Sequence, residues 1–166
     1  MTTDKEVVIT RTFDAPRERV WKALSEAGRL AQWWGPKGFA MNVATLDFRP
    51  GGMFHYSMTP PGGQPMWGKF VYEEINAPDT IVFINSFSDA AGGITPNPWN
   101  PAWALEVRNT LTLEEHDGKT TITIRGWPVR ANPEQEKMYE EARAAMQEGF
   151  KGTWEKLDEH LASATF

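Results

Sequence analysis

The segment that most constrains the fold is residues 133–162, a long stretch with a clear helical period. Its apolar positions recur at steps of three and four residues, which is the spacing of one face of an α-helix. That face is rich in small and flexible residues, where a helix that fills a core usually presents Leu and Ile. Its members are Met138, Ala142, Ala145, Met146, Gly149, Phe150, Thr153, Leu157 and Leu161. We therefore predict a cavity between this helix and the rest of the protein.

The start of this helix is marked by capping residues. Asn132 can cap it, Pro133 suits its first position, and Gln135 completes a capping-box pattern. Gly149 and Gly152 each cost about 1 kcal/mol relative to Ala inside a helix. We therefore expect close packing, a bend or space for a ligand at these two glycines.

The first part of the chain predicts a strand followed by two short helices. Residues 6–14 are rich in β-branched side chains, which favour a strand, and Pro16 suits a first helical turn. A second helix containing Leu30 is expected to end before Gly35-Pro36. We expect Trp33 and Trp34 to anchor this helix pair to the sheet rather than to contact a ligand.

From residue 39 onward the apolar period changes to two, which is typical of β-strands. The predicted strands cover residues 39–48, 52–59, 66–76, 80–88, 102–115 and 119–127. Turn-forming clusters separate most of them, including the hairpin signal Asp117-Gly118. Because short turns join antiparallel neighbours, the pattern predicts one antiparallel sheet covered by the C-terminal helix.

The connection 89–101 is longer than a hairpin requires. Connections of this length in a compact domain are usually functional or mobile. Ile94 and Trp99 provide apolar side chains with which the segment can cover a site. We therefore predict that it acts as a lid over the cavity.

Strand alternation divides the polar side chains of the predicted sheet between its two faces. Asn85 and Asn109 fall on the apolar face, where each amide is either a structural hydrogen-bonding group or a ligand contact. Glu106, Arg108 and Arg125 fall on the opposite, outer face. Because no carboxylate is expected to face the cavity, the sequence predicts no catalytic residue and leaves enzymatic activity unsupported.

Composition excludes several classes of partner. The chain has 17 Lys and Arg against 22 Asp and Glu, a formal net charge of −5. Capture of nucleic acid and a polybasic grip on a membrane both need a cationic surface, so we predict neither. No stretch approaches the roughly 18 apolar residues that favour a membrane-spanning helix, so no membrane insertion is expected.

The chain also lacks the motifs of the common cofactor sites. It contains no cysteine, and His55, His116 and His160 follow no metal-ligand spacing. Its Gly-Gly pairs lack the strand–loop–helix context of a phosphate-binding loop. Met1–Val8 has charged residues and no apolar run, unlike a signal peptide. We predict no metal, no cofactor and a cytoplasmic location.

Several blocks of the sequence resemble a known family. Residues 13–21, Phe-Asp-Ala-Pro-Arg-Glu-Arg-Val-Trp, resemble the strand-to-helix opening of START-like, Bet v 1-like helix-grip proteins. Trp33–Pro36, Leu46–Phe54, Gly68–Ile75 and Gly149–Leu161 resemble the branch similar to the activator of Hsp90 ATPase, in its single-domain bacterial type. Phe150 is a departure, because Trp is more usual there.

The resemblance implies an α+β helix-grip fold in one START-like (SRPBCC-type) domain over residues 1–166. In that fold a seven-stranded curved antiparallel sheet wraps around a long C-terminal helix, with two short helices after the first strand. A ligand cavity lies between sheet and helix. Members of the superfamily include lipid and hormone binders, polyketide cyclases, self-resistance proteins and co-chaperone domains, so the fold alone does not give the function.

We predict that the protein binds a small apolar molecule in this cavity. The alternatives are a polyketide cyclase-like enzyme and an Hsp90-type chaperone partner with an exposed apolar patch, and a homodimer through exposed aromatic side chains is a further hypothesis. The candidate ligand-binding residues are Phe54, Tyr56, Phe70, Phe83, Asn85, Phe87, Trp99, Trp103, Leu105, Val107, Asn109, Met138, Ala142, Met146, Gly149 and Phe150. Asn85, Asn109 or Tyr56 would orient the polar end of the ligand.

Overall fold

A computed structural model of the protein describes residues 6–163, so most of the segment Met1–Val8 lies outside the described residues. The strands are β1 (Val7–Phe13), β2 (Ala40–Leu46), β3 (Met53–Thr59), β4 (Met66–Asn76), β5 (Thr80–Ser88), β6 (Ile94–Thr95), β7 (Glu106–His116) and β8 (Lys119–Val129). The helices are α1 (Arg17–Ser25), α2 (Ala27–Trp33), α3 (Pro133–Glu141) and α4 (Arg143–Leu161). None of these helices is long and apolar enough to cross a membrane.

The predicted α+β architecture is confirmed. The strands form one open antiparallel sheet in the order β1-β8-β7-β5-β4-β3-β2, with α1 and α2 between β1 and β2. The two-residue strand β6 pairs with the end of β5 and adds to the seven strands that the resemblance implies. The short helices and the C-terminal helix cover the inner face of this sheet.

The C-terminal segment is divided at Ala142, where one continuous helix was expected. Ala142 has φ −84° and ψ 3°, and it ends α3 and precedes α4. The capping box is confirmed: Gln135 N donates to Asn132 Oδ1 over 2.8 Å, and Asn132 N donates to Gln135 Oε1 over 3.0 Å. The long helix of the fold is therefore α4, with α3 set before it.

Strand alternation assigns the two faces of the sheet as predicted. Asn85 pairs with Phe70 across the sheet, and Asn109 pairs with Gly126, all on the inner face. The outward residues Glu106 and Arg108 form ion pairs with residues of the same face, and Arg125 is exposed. Their side chains point away from the helices.

The side chains of Trp33 and Trp34 occupy the centre of the space between sheet and helices. Trp33 is 1% exposed, and its Nε1 donates to the carbonyl oxygen of Ala23 in α1 over 2.9 Å. The Trp34 ring lies edge-on to Phe70 at 5.2 Å and contacts the ring of Phe150 in α4 at 6.2 Å. The remaining apolar void beside these rings is only about 20 Å³. The prediction that the tryptophan pair anchors the helices to the sheet is confirmed.

Candidate functional site

An apolar cavity of about 160 Å³ lies at one end of the inner face, where β3, β4 and β5 meet the start of β7. Its lining residues are Tyr56, Met58, Gly68, Asn85, Ser86, Phe87, Trp103, Ala104, Leu105 and Val107. An engineered apolar cavity of about 150 Å³ holds one benzene molecule, so this cavity has room for a single ring. No lining residue carries a charge.

Two wider depressions on the surface have a different character. One, of about 610 Å³, lies between α2 and the end of α4, and the other, of about 480 Å³, lies between β1 and α4. Both are lined largely by charged and polar side chains, among them Arg29, Lys156, Glu159, Arg11, Lys151 and Glu155. An apolar molecule would cover charged side chains in either depression, which is unfavourable, so the smaller, uncharged cavity is the stronger candidate for an apolar ligand.

A glycine on the neighbouring strand positions the Tyr56 side chain. Tyr56 on β3 pairs with Gly68 on β4, and a Cβ at Gly68 would lie 2.7 Å from the Tyr56 hydroxyl oxygen. Because Gly68 has no side chain, the Tyr56 ring can lie over β4 at this position. The ring centroid lies 4.6 Å from that of Phe54 with the ring planes tilted by 33°, and the residue is 4% exposed. This geometry fixes the hydroxyl at the cavity wall.

The Tyr56 hydroxyl stays protonated at neutral pH. Burial raises the pKa of Tyr56. The polar groups of Trp34 and Asn85, which face the hydroxyl, lower this pKa, but by less than burial raises it. The Trp34 Nε1 is buried and does not reach hydrogen-bonding geometry with any partner in the described part of the chain. The hydroxyl is thus available as both a donor and an acceptor.

Asn85 adds a second polar side chain to the cavity wall. Asn85 Nδ2 donates to the carbonyl oxygen of Lys69 over 3.1 Å, which leaves the amide oxygen as an acceptor. Ser86 follows Asn85 on β5 and pairs with Lys69, so its side chain lies on the outer face of the sheet. Ser86 therefore borders the cavity through its backbone, and its hydroxyl points away from it.

The residues that follow the 89–101 connection, Trp103, Ala104 and Leu105, form one wall of the cavity, and the second half of the connection is held close to them. Asn97 Oδ1 accepts from Trp99 N over 2.8 Å, and Asn100 Nδ2 donates to Met138 Sδ in α3 over 3.2 Å. Trp103 contacts the ring of Tyr139 in α3 at 5.4 Å. These contacts hold the segment between the end of the sheet and α3.

The first half of the same connection lies on the outer face of the sheet instead. His55 Nε2 is 3.1 Å from the carbonyl oxygen of Asp89, and Lys69 Nζ donates to the carbonyl oxygen of Gly92 over 2.7 Å. His55 is buried there and stacks on Trp67 at 4.7 Å. No residue of the connection 89–101 lines the cavity, so its role as a lid stays a prediction.

Six of the candidate residues meet at the cavity: Tyr56, Asn85, Phe87, Trp103, Leu105 and Val107. Phe54, Phe70 and Phe83 form a buried aromatic cluster beside Trp34, with Phe70 stacked on Phe83 at 4.1 Å. Trp99 is 66% exposed and contacts the Phe87 ring at 6.1 Å. Asn109 lies beside Gly126, with Nδ2 donating to the carbonyl oxygen of Val107 over 3.3 Å.

The helix candidates lie away from the cavity wall. Met138 accepts a hydrogen bond from Asn100, and Ala142 is the residue at which the helix is interrupted. Met146 and Phe150 pack on the core, while a Cβ at Gly149 would meet no atom within 4 Å. Contact between these five residues and a ligand stays a prediction.

Four residues of the cavity wall are absent from the sequence-based set: Met58, Gly68, Ser86 and Ala104. Met58 follows Tyr56 by two residues, so alternation could have identified it. Ala104 could not be identified in this way, because the predicted strand 102–115 begins only at Glu106. A turn precedes this strand, and in it Trp103 N donates to the carbonyl oxygen of Asn100 over 2.9 Å. The side chains of residues 102–105 therefore do not alternate between the two faces of the sheet.

Comparison with known families and structures identifies similar proteins. The family model described as Activator of Hsp90 ATPase homolog 1-like protein matches residues 14–162. Protein Ms6760 from Mycobacterium smegmatis, known from a crystal structure, is 29% identical in sequence to this chain. The match covers 96% of this chain and 91% of Ms6760, with a TM-score of 0.75. The solution structure of a protein from Arthrobacter aurescens is also 29% identical, with coverages of 97% and 90% and a TM-score of 0.78.

A more distant likeness shows the fold alone. DynU16, a protein in the dynemicin biosynthetic locus, is 19% identical; the match covers 97% of this chain and 48% of DynU16, with a TM-score of 0.65. The search of the curated proteins finds no match.

Proposed function

Because the chain belongs to the Activator of Hsp90 ATPase homolog 1-like protein family, we propose that it binds a small, largely apolar molecule in the cavity at the end of the sheet. The START-like fold supports a ligand-binding or cyclase-like protein. The observation that carries the proposal is the cavity of about 160 Å³, whose walls are uncharged and mostly apolar. Burial of apolar ligand surface against such walls is the usual source of affinity for molecules of this kind.

The same lining favours binding over cyclase-like catalysis. General acid–base catalysis needs a group whose pKa lies near the working pH. The cavity has no Asp, Glu, His, Lys or Arg in its wall, and Tyr56 is its one ionisable residue. Burial raises the pKa of Tyr56 further from neutrality, so this residue is poorly suited to accept a proton.

Toluene is expected to raise the melting temperature of the protein and to perturb amide NMR signals of residues 85–87 and 103–107. Replacing Ala104, which lines the cavity and is 5% exposed, with leucine adds three carbons inside it. Ala104→Leu is therefore expected to weaken toluene binding at least tenfold, as measured by NMR titration. Ala144→Leu, on the exposed surface of α4, is the matched control and should leave the affinity unchanged.

Two results would contradict the proposal. One is the absence of any toluene-dependent shift at concentrations up to its solubility. The other is equal toluene affinity in the wild type and in a folded Ala104→Leu variant, because binding would then lie elsewhere.

An Hsp90-type chaperone partner is a second candidate, and one observation favours it. The exposed large apolar side chains in the described range are Ile94, Trp99 and Leu105, at 45%, 66% and 47% exposure. All three belong to residues 94–105, and exposed large apolar side chains can contribute to an interaction surface. The description of the matching family names an activator of the Hsp90 ATPase.

Under this second proposal, Trp99→Ala is expected to weaken binding to the Hsp90 of the same host about thirtyfold. Tryptophans that become buried in an interface are frequent hot spots, and their removal often costs at least about 2 kcal/mol of binding free energy. Surface plasmon resonance with purified proteins would measure the change. Lys151→Ala, an exposed substitution on α4, serves as the control. No detectable binding by the wild-type protein would reject this candidate.

We also propose a cytoplasmic location and a homodimer through exposed aromatic side chains. The location is in keeping with a chain that contains no cysteine. The exposed Trp99 supplies an apolar contact that a second copy could cover.

A further inference from the structure

We propose that the ligand carries an uncharged hydroxyl group on a single ring, and that Tyr56 and Asn85 bind this hydroxyl. The inference rests on the proposed binding function and adds the chemical class of the ligand. A phenol is the simplest molecule of this class.

The uncharged wall of the cavity excludes acids and amines. All ten lining residues are neutral, so a carboxylate or ammonium group in the cavity would find no charged partner. Burying an ion without such a partner is strongly unfavourable. The volume of about 160 Å³ also limits the enclosed part of the ligand to about one six-membered ring.

The polar groups of the wall match a hydroxyl better than they match a hydrocarbon. Tyr56 offers a hydroxyl that donates and accepts, and the Asn85 amide oxygen accepts, because Nδ2 already donates to Lys69. A ligand hydroxyl can donate and accept at once, so it can satisfy this set, whereas a hydrocarbon would leave it unsatisfied.

The two polar residues belong to the strands on either side of β4, whereas part of the apolar wall comes from the residues before β7. Tyr56 lies on β3, and Asn85 lies on β5. Trp103 and Leu105 precede β7, and Leu105 is 47% exposed where the cavity opens. The ligand hydroxyl would therefore point toward the sheet, with the apolar part of the molecule against Trp103 and Leu105.

The test compares p-cresol, toluene and p-toluate on the wild type, Tyr56→Phe and Tyr72→Phe by NMR titration. Tyr72 is a matched control: it is a second inner-face tyrosine, 3% exposed, and it lies at the small central void rather than at this cavity. We expect Tyr56→Phe to weaken p-cresol about tenfold, the usual value of one hydrogen bond, and toluene less than twofold. Tyr72→Phe should change neither affinity, and p-toluate should bind at least tenfold more weakly than p-cresol.

The outcomes separate the inference from the function on which it rests. If Tyr56→Phe weakens p-cresol and toluene equally, or neither, hydroxyl recognition is overturned while ring binding stands. Tighter binding of p-toluate than of p-cresol would also overturn it. If none of the three probes binds the wild type, the proposed function itself fails. Asn85→Leu provides a second variant, with a selective loss of p-cresol affinity expected, in case Tyr56→Phe does not fold.

Discussion

Replacing Trp33 with alanine is expected to lower the free energy of unfolding by about 3–5 kcal/mol, the cost of removing a fully buried aromatic side chain. The side chain is 1% exposed and packs edge-on against Trp34 at 5.6 Å. Its N–H bond to the carbonyl oxygen of Ala23 also joins α2 to α1. The substitution therefore leaves a cavity at the centre of the core and removes a buried hydrogen bond. Urea denaturation would measure the loss.

Two variants control this prediction. Trp99→Ala removes the same side chain from an exposed position, so we expect a change within about 0.5 kcal/mol. Trp33→Phe keeps a ring in the core but loses the N–H donor, and its stability should lie between those of the wild type and Trp33→Ala. A Trp33→Ala protein within about 1 kcal/mol of the wild type would contradict the central packing role assigned to Trp33.

Replacing Gly52 with alanine should cost about 3 kcal/mol, the upper end of the usual penalty for overpacking. A Cβ at this position would collide with the carbonyl oxygen of Asp47 and lie 3.0 Å from that of Arg49. Both are backbone atoms, so the turn between β2 and β3 would have to move. Gly52 also accepts from Tyr72 N over 3.0 Å, and the movement would disturb this link to β4. Urea denaturation would measure the change, and the dependence of the unfolding free energy on urea concentration should stay the same in both proteins.

Gly149→Ala is the matched control for Gly52→Ala. Nothing lies within 4 Å of a Cβ at Gly149, in the interior of α4. Alanine is favoured over glycine in a helix by about 1 kcal/mol, so this variant should be more stable than the wild type. Equal destabilisation by both substitutions would show that the effect does not come from the close contact at Gly52.

Part of the candidate site could be predicted because strand alternation is a local property. A period of two places Tyr56, Asn85, Phe87 and Val107 on the apolar face whatever lies opposite them. The wall that encloses the cavity could not be predicted in this way. Ala104 belongs to a turn whose course depends on the contact between Asn100 and Met138 in α3, which is distant in sequence.

The small-residue face of the C-terminal helix shows the limit of the sequence argument. It predicts space between the helix and the sheet, but Gly149 is exposed, so the open volume around a Cβ at that position is solvent and not a cavity. The cavity with the best geometry for a ligand is lined instead by the ends of strands and by residues 103–105. Whether the helix also contacts a ligand stays a prediction.

By itself, the amino-acid sequence determined the α+β class, the two faces of the sheet, the capped start of the C-terminal helix and the anchoring role of the tryptophan pair. Each of these follows from spacing or chemistry within a short stretch of chain. Only the tertiary structure decided where empty volume lies. Trp34 enters the space between sheet and helix and leaves a void of about 20 Å³ there, so the useful cavity is displaced to the end of the sheet. The physical reason is that a void is defined by every side chain around it, and those side chains come from elements far apart in sequence.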